Sequence, residues 1–445
     1  MSSTPLVNSM RLFFARAALL CGATFVLASC HGLLDVSDPT RVQDADIANA
    51  LGANARRLQV SSVFNANMGP SVLNVALFTD EANIDASSGA VQDPTLYLDR
   101  RDGVGYENIN TTPTGAVDPY LGGWDQIVTA ADIAIPAVRA YSPDSVKGDF
   151  LSQLFALRGF SILQMAEDVC SGFPINEVQN DLPVFNPPYT TDSAVKYALG
   201  QLDSALMEGH DSARFINLAR VAQGRAFLDL GQYAAAATAV AQVPTSFVYQ
   251  TEGYNGATTA PGNYCYGCLN FVMGDYEGVN GLPFVSSQDP RVPAVPVGLR
   301  YGSTTDSIYF QGKYTTGVDP VIVASGVEAR LIEAEVALHD GDPNWLTILN
   351  TLRMSAGVTP MTDPGTPSAQ VDSLYHERAF WLYFTGRRLG DMRRLVRNYG
   401  RDPATVFPQG AYPLGGTYST DTAIPYVYAA EHAYNPYITS SCPAR

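Results

Sequence analysis

The sequence has little positive charge and few histidines. Its 27 lysines and arginines stand against 43 acidic residues, so the formal net charge is −16, and the five histidines occur singly. A chain this acidic is a poor partner for nucleic acid, because phosphates attract basic surfaces. The scattered histidines complete no metal-ligand spacing, so the sequence predicts neither a metal site nor a cofactor.

The motifs of the common catalytic sites are also missing. There is no Gly-x-Ser-x-Gly elbow and no Walker loop, and the helix that contains His376 and Glu377 lacks the second histidine of a zinc protease. Asp340, Asp342 and Asn344 alternate as in a calcium loop, but a tryptophan follows where that loop needs glycine. The sequence therefore predicts a protein that is not an enzyme.

No apolar run downstream of the first 29 residues approaches the length of a membrane span. The amino-terminal apolar run, residues 17–28, is itself shorter than the roughly 20 residues that a span needs. It follows Arg11 and Arg16 and ends in Leu27-Ala28-Ser29-Cys30. This pattern is typical of a bacterial lipoprotein signal peptide over residues 1–29, with lipid on Cys30, although an ordinary signal peptide is the alternative. Cleavage there removes two arginines and no acid, so the formal charge of −16 becomes −18.

Four cysteines remain after Cys30, namely Cys170, Cys265, Cys268 and Cys442. In an exported protein they favour disulfides, and three pairings are possible. The close pair Cys265 and Cys268 is also compatible with a redox motif or with half of a zinc site. No second Cys-x-x-Cys or histidine pair completes a zinc site, so we expect structural disulfides.

Hydrophobic periodicity predicts a mostly helical chain. The helical stretches are residues 46–64, 124–141, 149–166, 218–243, 327–353 and 373–398. In the first of them, Ala48, Leu51 and Ala55 lie at the three- and four-residue spacing of one helical face. The stretch 218–243 contains Leu230-Gly231-Gln232-Tyr233, which resembles a tetratricopeptide turn, and 327–353 is a weaker copy.

The predicted fold class is therefore a mostly α scaffold of tetratricopeptide-like helical pairs, with long irregular loops and a small mixed lobe. A lipidated tether over residues 30–45 precedes a single domain, residues 46–445. Two insertions, near 78–119 and 249–323, have no sustained period and are rich in Gly, Asn and Tyr. Long loops in a compact domain usually have a function, so we expect the first to lie on the surface and the second to form an irregular lobe with short strands.

These two insertions hold the candidate ligand-binding residues. Exposed tyrosines stack on sugar rings, while nearby carboxylates and amides bond to hydroxyl groups. The candidates are Asp80, Glu81, Asn83, Tyr97, Tyr106, Tyr264, Tyr266 and Tyr276. Asp80 and Glu81 are also compatible with a glycosidase pair or with a solvated loop, and each single tyrosine is also compatible with packing inside the lobe.

Six arginines crowd the helical stretch 373–398, against only two acids, Glu377 and Asp391. Because the rest of the chain is strongly acidic, we expect them to pair with acidic residues of neighbouring helices rather than to bind nucleic acid. Gly386, directly before two of the arginines, indicates close packing at that point.

In the order of these features the chain resembles the SusD/RagB family of outer-membrane nutrient-binding lipoproteins. The segments that carry the resemblance are Cys30 with its lipobox, 151–174, 219–243, Asp289-Pro290-Arg291, 328–353 and 376–394. Many relatives have Tyr-Gly-Asp-Val-Pro after the second helical pair, whereas this chain has Asp168-Val169-Cys170-Ser171-Gly172-Phe173-Pro174.

The resemblance implies a helical scaffold under an irregular ligand-binding lobe. It also implies a lipid-anchored protein at the cell surface that captures oligosaccharide or other polymer fragments. Its partner would be a SusC-like TonB-dependent outer-membrane channel. The alternatives are a helical-repeat scaffold that binds envelope proteins and a glycoside hydrolase, which would need two acids across an aromatic cleft.

Overall fold

A computed structural model describes residues 47–85, 94–112, 115–116, 120–209, 212–252, 270–300, 303–316 and 318–442. Residues from Asn49 onwards form one compact unit by their contacts. The helices are α1 (Ala50–Phe78), α2 (Pro94–Asp99), α3 (Gly103–Asn110), α4 (Leu121–Tyr141), α5 (Asp144–Asp168), α6 (Thr191–Glu208), α7 (Ala213–Asp229), α8 (Tyr233–Val240), α9 (Gly326–His339), α10 (Asn344–Ser355), α11 (Pro367–Trp381), α12 (Arg388–Tyr399), α13 (Pro403–Val406) and α14 (Tyr428–His432). The predicted mostly helical fold is thereby confirmed. Among the described residues, no helix is both long and apolar enough to cross a membrane.

The strands are short and pair two by two. They are β1 (Ala82–Asp85), β2 (Thr111–Thr112), β3 (Gly115–Ala116), β4 (Glu177–Gln179), β5 (Leu182–Val184), β6 (Val248–Gln250), β7 (Asn270–Met273), β8 (Ala294–Leu299), β9 (Ser307–Gln311) and β10 (Ile322–Ser325). The antiparallel pairs are β1 with β7, β2 with β3, β4 with β5, β6 with β10 and β8 with β9. Strands β6 to β10 lie in or beside the second insertion, as predicted for an irregular lobe.

The helical pairs turn where glycine permits it. Helix α7 ends at Asp229, Gly231 adopts a φ of 67°, and α8 begins at Tyr233; Gly341, with a φ of 73°, makes the same turn between α9 and α10. These left-handed values suit glycine because it has no Cβ. Tyr233 stacks on His339 with ring centroids 3.6 Å apart, so the two predicted tetratricopeptide turns contact each other.

The core between α1, α4 and α5 is aromatic. Phe64, Trp124 and Phe160 are each fully buried, and their ring centroids lie 5.5 to 6.4 Å apart. This spacing is favourable for edge and tilted contacts between rings. The face of α1 that packs here is that of Val60 and Phe64.

The helix predicted from residue 46 is present as α1, but the face whose spacing indicates it is not the buried one. Ala48, Leu51 and Ala55 are exposed, because the opposite face, with Ala53 and Val60, enters the core. Helical periodicity identifies an apolar stripe, but it does not tell which of two apolar stripes is covered.

The single helix predicted over 373–398 is interrupted. Helix α11 ends at Trp381 and α12 begins at Arg388, because Phe384 and Gly386 adopt φ values of 50° and 75°. A Cβ on Gly386 would lie 3.4 Å from Val72 of α1, so the predicted close packing at this glycine is present.

Five of the six arginines of the stretch 373–398 lie within ion-pair distance of an acid, as predicted, whereas Arg393 donates to backbone carbonyls at the end of α5. Arg378 donates two hydrogen bonds to Asp391, at 2.8 and 2.7 Å, and Arg394 lies 3.0 Å from a carboxylate oxygen of Glu335 and 3.1 Å from one of Asp229. These pairs join α12 to α7, α9 and α11. Breaking such a buried pair costs far more than breaking an exposed one.

A disulfide joins Cys170, just after α5, to Cys442 near the carboxyl terminus. The Cys170 amide also donates to the Ile424 carbonyl at 3.0 Å. The crosslink therefore fastens the final segment of the chain to the end of α5. Cys30, Cys265 and Cys268 lie outside the described residues.

Candidate functional site

The first insertion is not the predicted surface loop, because it contains a buried strand. All four residues of β1 are buried, and two short helices, α2 and α3, follow. The strand pairs antiparallel with β7, with Asn83 opposite Val272 and Asp85 opposite Asn270. Side chains alternate along a strand, so Asn83 and Asp85 point to the same face.

Arg300, directly after β8, contacts both residues of this face. Its Nη2 donates to Asn83 Oδ1 at 3.3 Å, and its Nη1 lies 3.8 Å from Asp85 Oδ1, beyond hydrogen-bonding distance. The Nη1 atom is buried and has no hydrogen-bond partner among the described residues. The Arg300 side chain as a whole is 24% exposed, so its other N–H groups can donate to an oxygen atom of a ligand.

Strands β1 and β7 and the end of β8 come together at this face. Asp85 and Asn270 are register partners, so they lie at the same end of the β1–β7 pair. The candidates Tyr264 and Tyr266 belong to the 253–269 segment and lie outside the described residues.

Two buried carboxyl groups, those of Glu277 and Asp99, form hydrogen bonds with residues of β1. Glu277 accepts a hydrogen bond from Asn83 Nδ2 at 2.6 Å and another from the Tyr418 hydroxyl. Asp99 accepts the Ile84 amide at 2.8 Å and the Tyr412 hydroxyl at 2.7 Å. These bonds fix the orientation of the Asn83 amide, and hence which of its atoms faces Arg300.

Burial shifts the titration of both groups. It raises the pKa of Asp99 well above its usual range, with a further increase from the charge of Glu277, and it also raises the pKa of Glu277. Burial disfavours the charged form of a carboxyl group. The positive charge of Arg300 lowers the pKa of both groups, so the arginine favours the ionised form of the two buried acids.

The described tyrosine candidates have different environments. Tyr276 is 62% exposed and adjoins Glu277 in the chain, and Tyr97 is half-buried on α2, two residues before Asp99. A Cβ on Gly105 would come within 1.9 Å of the Tyr97 ring, so only glycine leaves room for that ring. Tyr106 is 1% exposed and packs in the core, which corrects its predicted exposure.

Asp80 and Glu81 are likewise buried, so their predicted place on a surface loop is wrong. Asp80 accepts two hydrogen bonds from Arg388, at 2.7 and 2.8 Å, and Glu81 Oε1 accepts the Phe384 amide at 3.0 Å. Burial raises the pKa of Glu81 to about 8, so this side chain is mostly neutral at pH 7. These hydrogen bonds connect the residues just before β1 to Phe384 and to Arg388 at the start of α12. Neither side chain is therefore available to a ligand.

The sequence interpretation missed Asp85, Asp99, Glu277 and Arg300. Asp85 had a usable signal, because it lies two residues after Asn83 and shares its face once the segment is read as a strand. Arg300 had none, since its contact with β1 spans more than 200 positions of the chain.

A concave surface also lies among the helices. A cavity of about 520 Å³ between α6 and α12 is lined by hydroxyl groups and by Arg393 and Arg397. Arg397 donates to Asp192 at 2.6 Å, and Arg393 donates to backbone carbonyls at the end of α5. Because both arginines are occupied, we place the candidate site at the β1 face. Within the described ranges, no cluster of acidic, histidine and cysteine side chains is suited to a metal ion.

No protein-family model and no curated protein matches the sequence. Solved structures do match the fold. A SusD superfamily protein from Bacteroides vulgatus aligns with a TM-score of 0.64 at 12% identity, over 90% of this chain and 100% of that one. Surface glycan-binding protein A from Bacteroides uniformis aligns with a TM-score of 0.63 at 12% identity, over 88% and 99%.

A third similar structure, from Bacteroides vulgatus and described as a putative sugar binding protein, has a TM-score of 0.61 at 15% identity, over 89% of this chain and 98% of that one. The alignments span nearly the full length of these proteins. The chain therefore has the SusD-like fold that its sequence predicts.

Proposed function

We propose that this protein captures oligosaccharides or other polymer fragments at the outer surface of the cell. The observation that carries the proposal is the arrangement of Asn83, Asp85 and Arg300 on one buried-strand face. It brings an amide, a carboxylate and a guanidinium together at one end of the β1–β7 pair. The SusD-like fold supports it, since several proteins of that fold are described as binding sugars or glycans.

The chemistry of the face suits sugar hydroxyl groups. A hydroxyl group accepts as well as donates, so one can accept from the guanidinium of Arg300, which is 24% exposed, while the buried Asn83 and Asp85 hold that arginine in place. Tyrosine rings, with Tyr97 and Tyr276 the described candidates, would stack on the apolar faces of sugar rings. Because Asn83 is held by Glu277, little ordering is needed when a ligand binds.

Binding fits this geometry better than hydrolysis. A glycosidase places two carboxyl groups on either side of the scissile bond, about 5 to 10 Å apart. Here Asp99 and Glu277 are buried, and each is hydrogen-bonded to a tyrosine hydroxyl. They position other groups and present no carboxyl group to a substrate.

Lipid on Cys30 would hold the protein at the outer membrane, and a SusC-like TonB-dependent channel would receive the cargo. In that complex the protein would cover the channel and release its ligand inwards. Affinity need only be modest, because the shared anchoring raises the effective concentration of captured ligand near the pore.

We expect Arg300→Ala to weaken glycan binding about 10-fold or more, because a charge-assisted hydrogen bond contributes roughly 1.5–3 kcal/mol. Isothermal titration calorimetry against a panel of oligosaccharides first identifies a ligand and then measures the variant. Arg401→Ala is the matched control, since Arg401 forms an exposed ion pair with Asp372 far along the chain. Equal affinity of the Arg300 and Arg401 variants would place the ligand elsewhere.

The channel partner is tested separately, by pull-down from detergent-solubilised native membranes through a carboxyl-terminal tag. We expect a large TonB-dependent barrel to copurify in near-equal amount. Recovery of the protein alone, or with soluble envelope proteins only, would favour the scaffold alternative. Mass spectrometry of the eluate distinguishes these results.

A further inference from the structure

The cavity of about 520 Å³ between α6 and α12 is large enough for a small ligand, since cavities that hold such ligands usually measure roughly 300–1,000 Å³. Arg393, Val396 and Arg397 of α12 line it, and because they are three and four positions apart they share one face of that helix. Hydroxyl groups from the segment after α5 and from the start of α6 also line it, those of Ser171, Thr190 and Thr191. Among the described residues, Val396 is the only apolar side chain in this lining.

The hydrogen bonds that occupy Arg393 all come from one of its three guanidinium nitrogens. Its Nη1 atom donates to three carbonyls at the end of α5, those of Ala166, Glu167 and Val169, at 3.3, 2.5 and 3.0 Å. The Nε and Nη2 atoms form no hydrogen bond with a described residue, and no described carboxylate lies within ion-pair distance of this arginine. The side chain is half-buried and lines the cavity, so its Nε–Nη2 edge is left for a ligand.

In other buried arginines of this chain, the same edge holds a carboxylate. Nε and Nη2 of Arg378 donate to the two oxygens of Asp391 at 2.8 and 2.7 Å. The same two atoms of Arg388 donate to Asp80 at 2.7 and 2.8 Å. Two parallel bonds of this kind match the planar geometry of a carboxylate. Arg393 presents the same edge without such a partner, so a carboxylate is the group that fits it best.

The charge of the cavity also favours an anion. Two arginines and one carboxylate, that of Asp192, line it, so the lining is positive in a chain whose formal net charge is −16. Arg397 donates to Asp192 at 2.6 Å, so the charge of Arg393 is the one that is not balanced there. Burial, together with the charge of Arg397, lowers the pKa of Arg393 to about 10. The group is therefore cationic at pH 7, and a bound anion would stabilise it.

We infer that this cavity binds a sugar of the uronic acid type, with the sugar carboxylate on the Nε–Nη2 edge of Arg393 and the ring hydroxyls against the serine and threonine side chains. A sugar fits better than an aliphatic acid, because its hydroxyl groups both donate to and accept from the hydroxyl groups of the lining. The inference goes beyond the proposed function, since the site shares no residue with the β1 face and does not depend on the channel.

The walls of the cavity are fixed before a ligand binds. Ser171 directly follows Cys170, which the disulfide joins to Cys442, and its Oγ accepts the Thr191 amide at 3.2 Å. The carbonyls at the end of α5 hold Arg393 in the same way. Little ordering is therefore needed on binding, and less of the binding free energy is lost to it.

Isothermal titration calorimetry of the full chain with glucuronate, galacturonate and digalacturonate tests the inference, each acid beside its uncharged methyl ester. We expect at least one acid to bind, and its ester to bind about 10-fold or more weakly, because the charge-assisted hydrogen bonds are lost. Arg393→Lys keeps a positive charge and a donor for the α5 carbonyls but has no fork, so it should weaken binding of the acid by about 10-fold or more. Arg401→Lys is the matched control and should bind like the unmodified protein, since Arg401 forms an exposed ion pair with Asp372.

Val396→Trp is a second variant that leaves both arginines unchanged. The larger side chain would fill part of the cavity, so the acid should no longer bind. Circular dichroism checks that each variant is folded, and Val396→Trp decides the question if Arg393→Lys is not. Unchanged affinity in a folded Val396→Trp variant would overturn the inference.

The remaining results separate this cavity from the β1 face. Absence of binding by all three acids, or equal binding of acid and ester, overturns the inference. If Arg300→Ala removes binding of the acid and Arg393→Lys does not, the acid is held at the β1 face, which overturns the inference and leaves the proposed function in place. If only the cavity variants weaken binding of the acid, the inference is supported, whatever neutral oligosaccharides do at the β1 face.

Discussion

Replacing Asp80 with alanine is expected to lower the free energy of unfolding by about 3–5 kcal/mol, because it leaves a buried arginine without its partner. Asp80 is fully buried and accepts two hydrogen bonds from Arg388, which has no other ion-pair partner among the described residues. It also accepts the Leu282 amide at 3.0 Å, so the substitution removes three contacts. Urea unfolding followed by circular dichroism measures the change.

Two controls separate the buried pair from other effects. Asp144→Ala breaks an exposed ion pair with Lys147 and should leave the unfolding midpoint nearly unchanged. The double variant Asp80→Ala/Arg388→Met should recover part of the lost stability, because the unpaired charge is then absent. If Asp80→Ala alone abolished glycan binding without loss of stability, the carboxylate would be a ligand contact after all.

The helical scaffold could be predicted from sequence because its signals are local. Gly231 and Gly341 each indicate a turn, because glycine readily adopts the left-handed conformation that a short turn between two helices needs. Tyr233 follows Gly231 by two positions, as in a tetratricopeptide turn. The alanines of α8 allow close approach over a few positions. None of these features depends on a distant part of the chain.

The interruption between α11 and α12 was missed because it depends on distant partners. Glu81 accepts the amide of Phe384, and Asp80 holds Arg388, both from 300 positions away. Without these contacts the periodicity of 373–398 is typical of one continuous helix. Tertiary contacts here override a local preference.

The candidate site was only partly predictable for a similar reason. The segment around Asn83 was among the predicted ones, but its side-chain directions follow from pairing with β7, about 190 positions later. If the segment were the predicted surface loop, Asp80, Glu81 and Asn83 would be equally suitable as ligand contacts. In the strand, Asn83 and Asp85 share a face, whereas Asp80 and Glu81 precede the strand and enter the core.

The second large effect is expected when the disulfide is removed. The Cys170→Ser/Cys442→Ser variant should lose about 3–5 kcal/mol of unfolding free energy, because a crosslink across a long loop restricts the unfolded chain more than one across a short loop. The two cysteines are 272 positions apart. Urea unfolding under non-reducing conditions compares the variant with the unmodified protein.

Reducing agent supplies the first control for this variant. Dithiothreitol should shift the unmodified protein to the midpoint of the variant and should not shift the variant further. Cys265→Ser/Cys268→Ser is the matched substitution, since it also removes two cysteines but leaves the long-range crosslink. It should lose far less stability, because any loop between positions three apart is short.

The disulfide should also influence the β1 face. The segment it fastens includes Asp421, whose carboxylate accepts the Gly103 amide at 2.9 Å and whose carbonyl accepts Arg101 Nη1 at 2.7 Å. These bonds hold the link between α2 and α3, close to Tyr97 and Asp99. We therefore expect glycan affinity to fall together with stability in the Cys170→Ser/Cys442→Ser variant, and unchanged affinity would show that the face is held independently of the final segment.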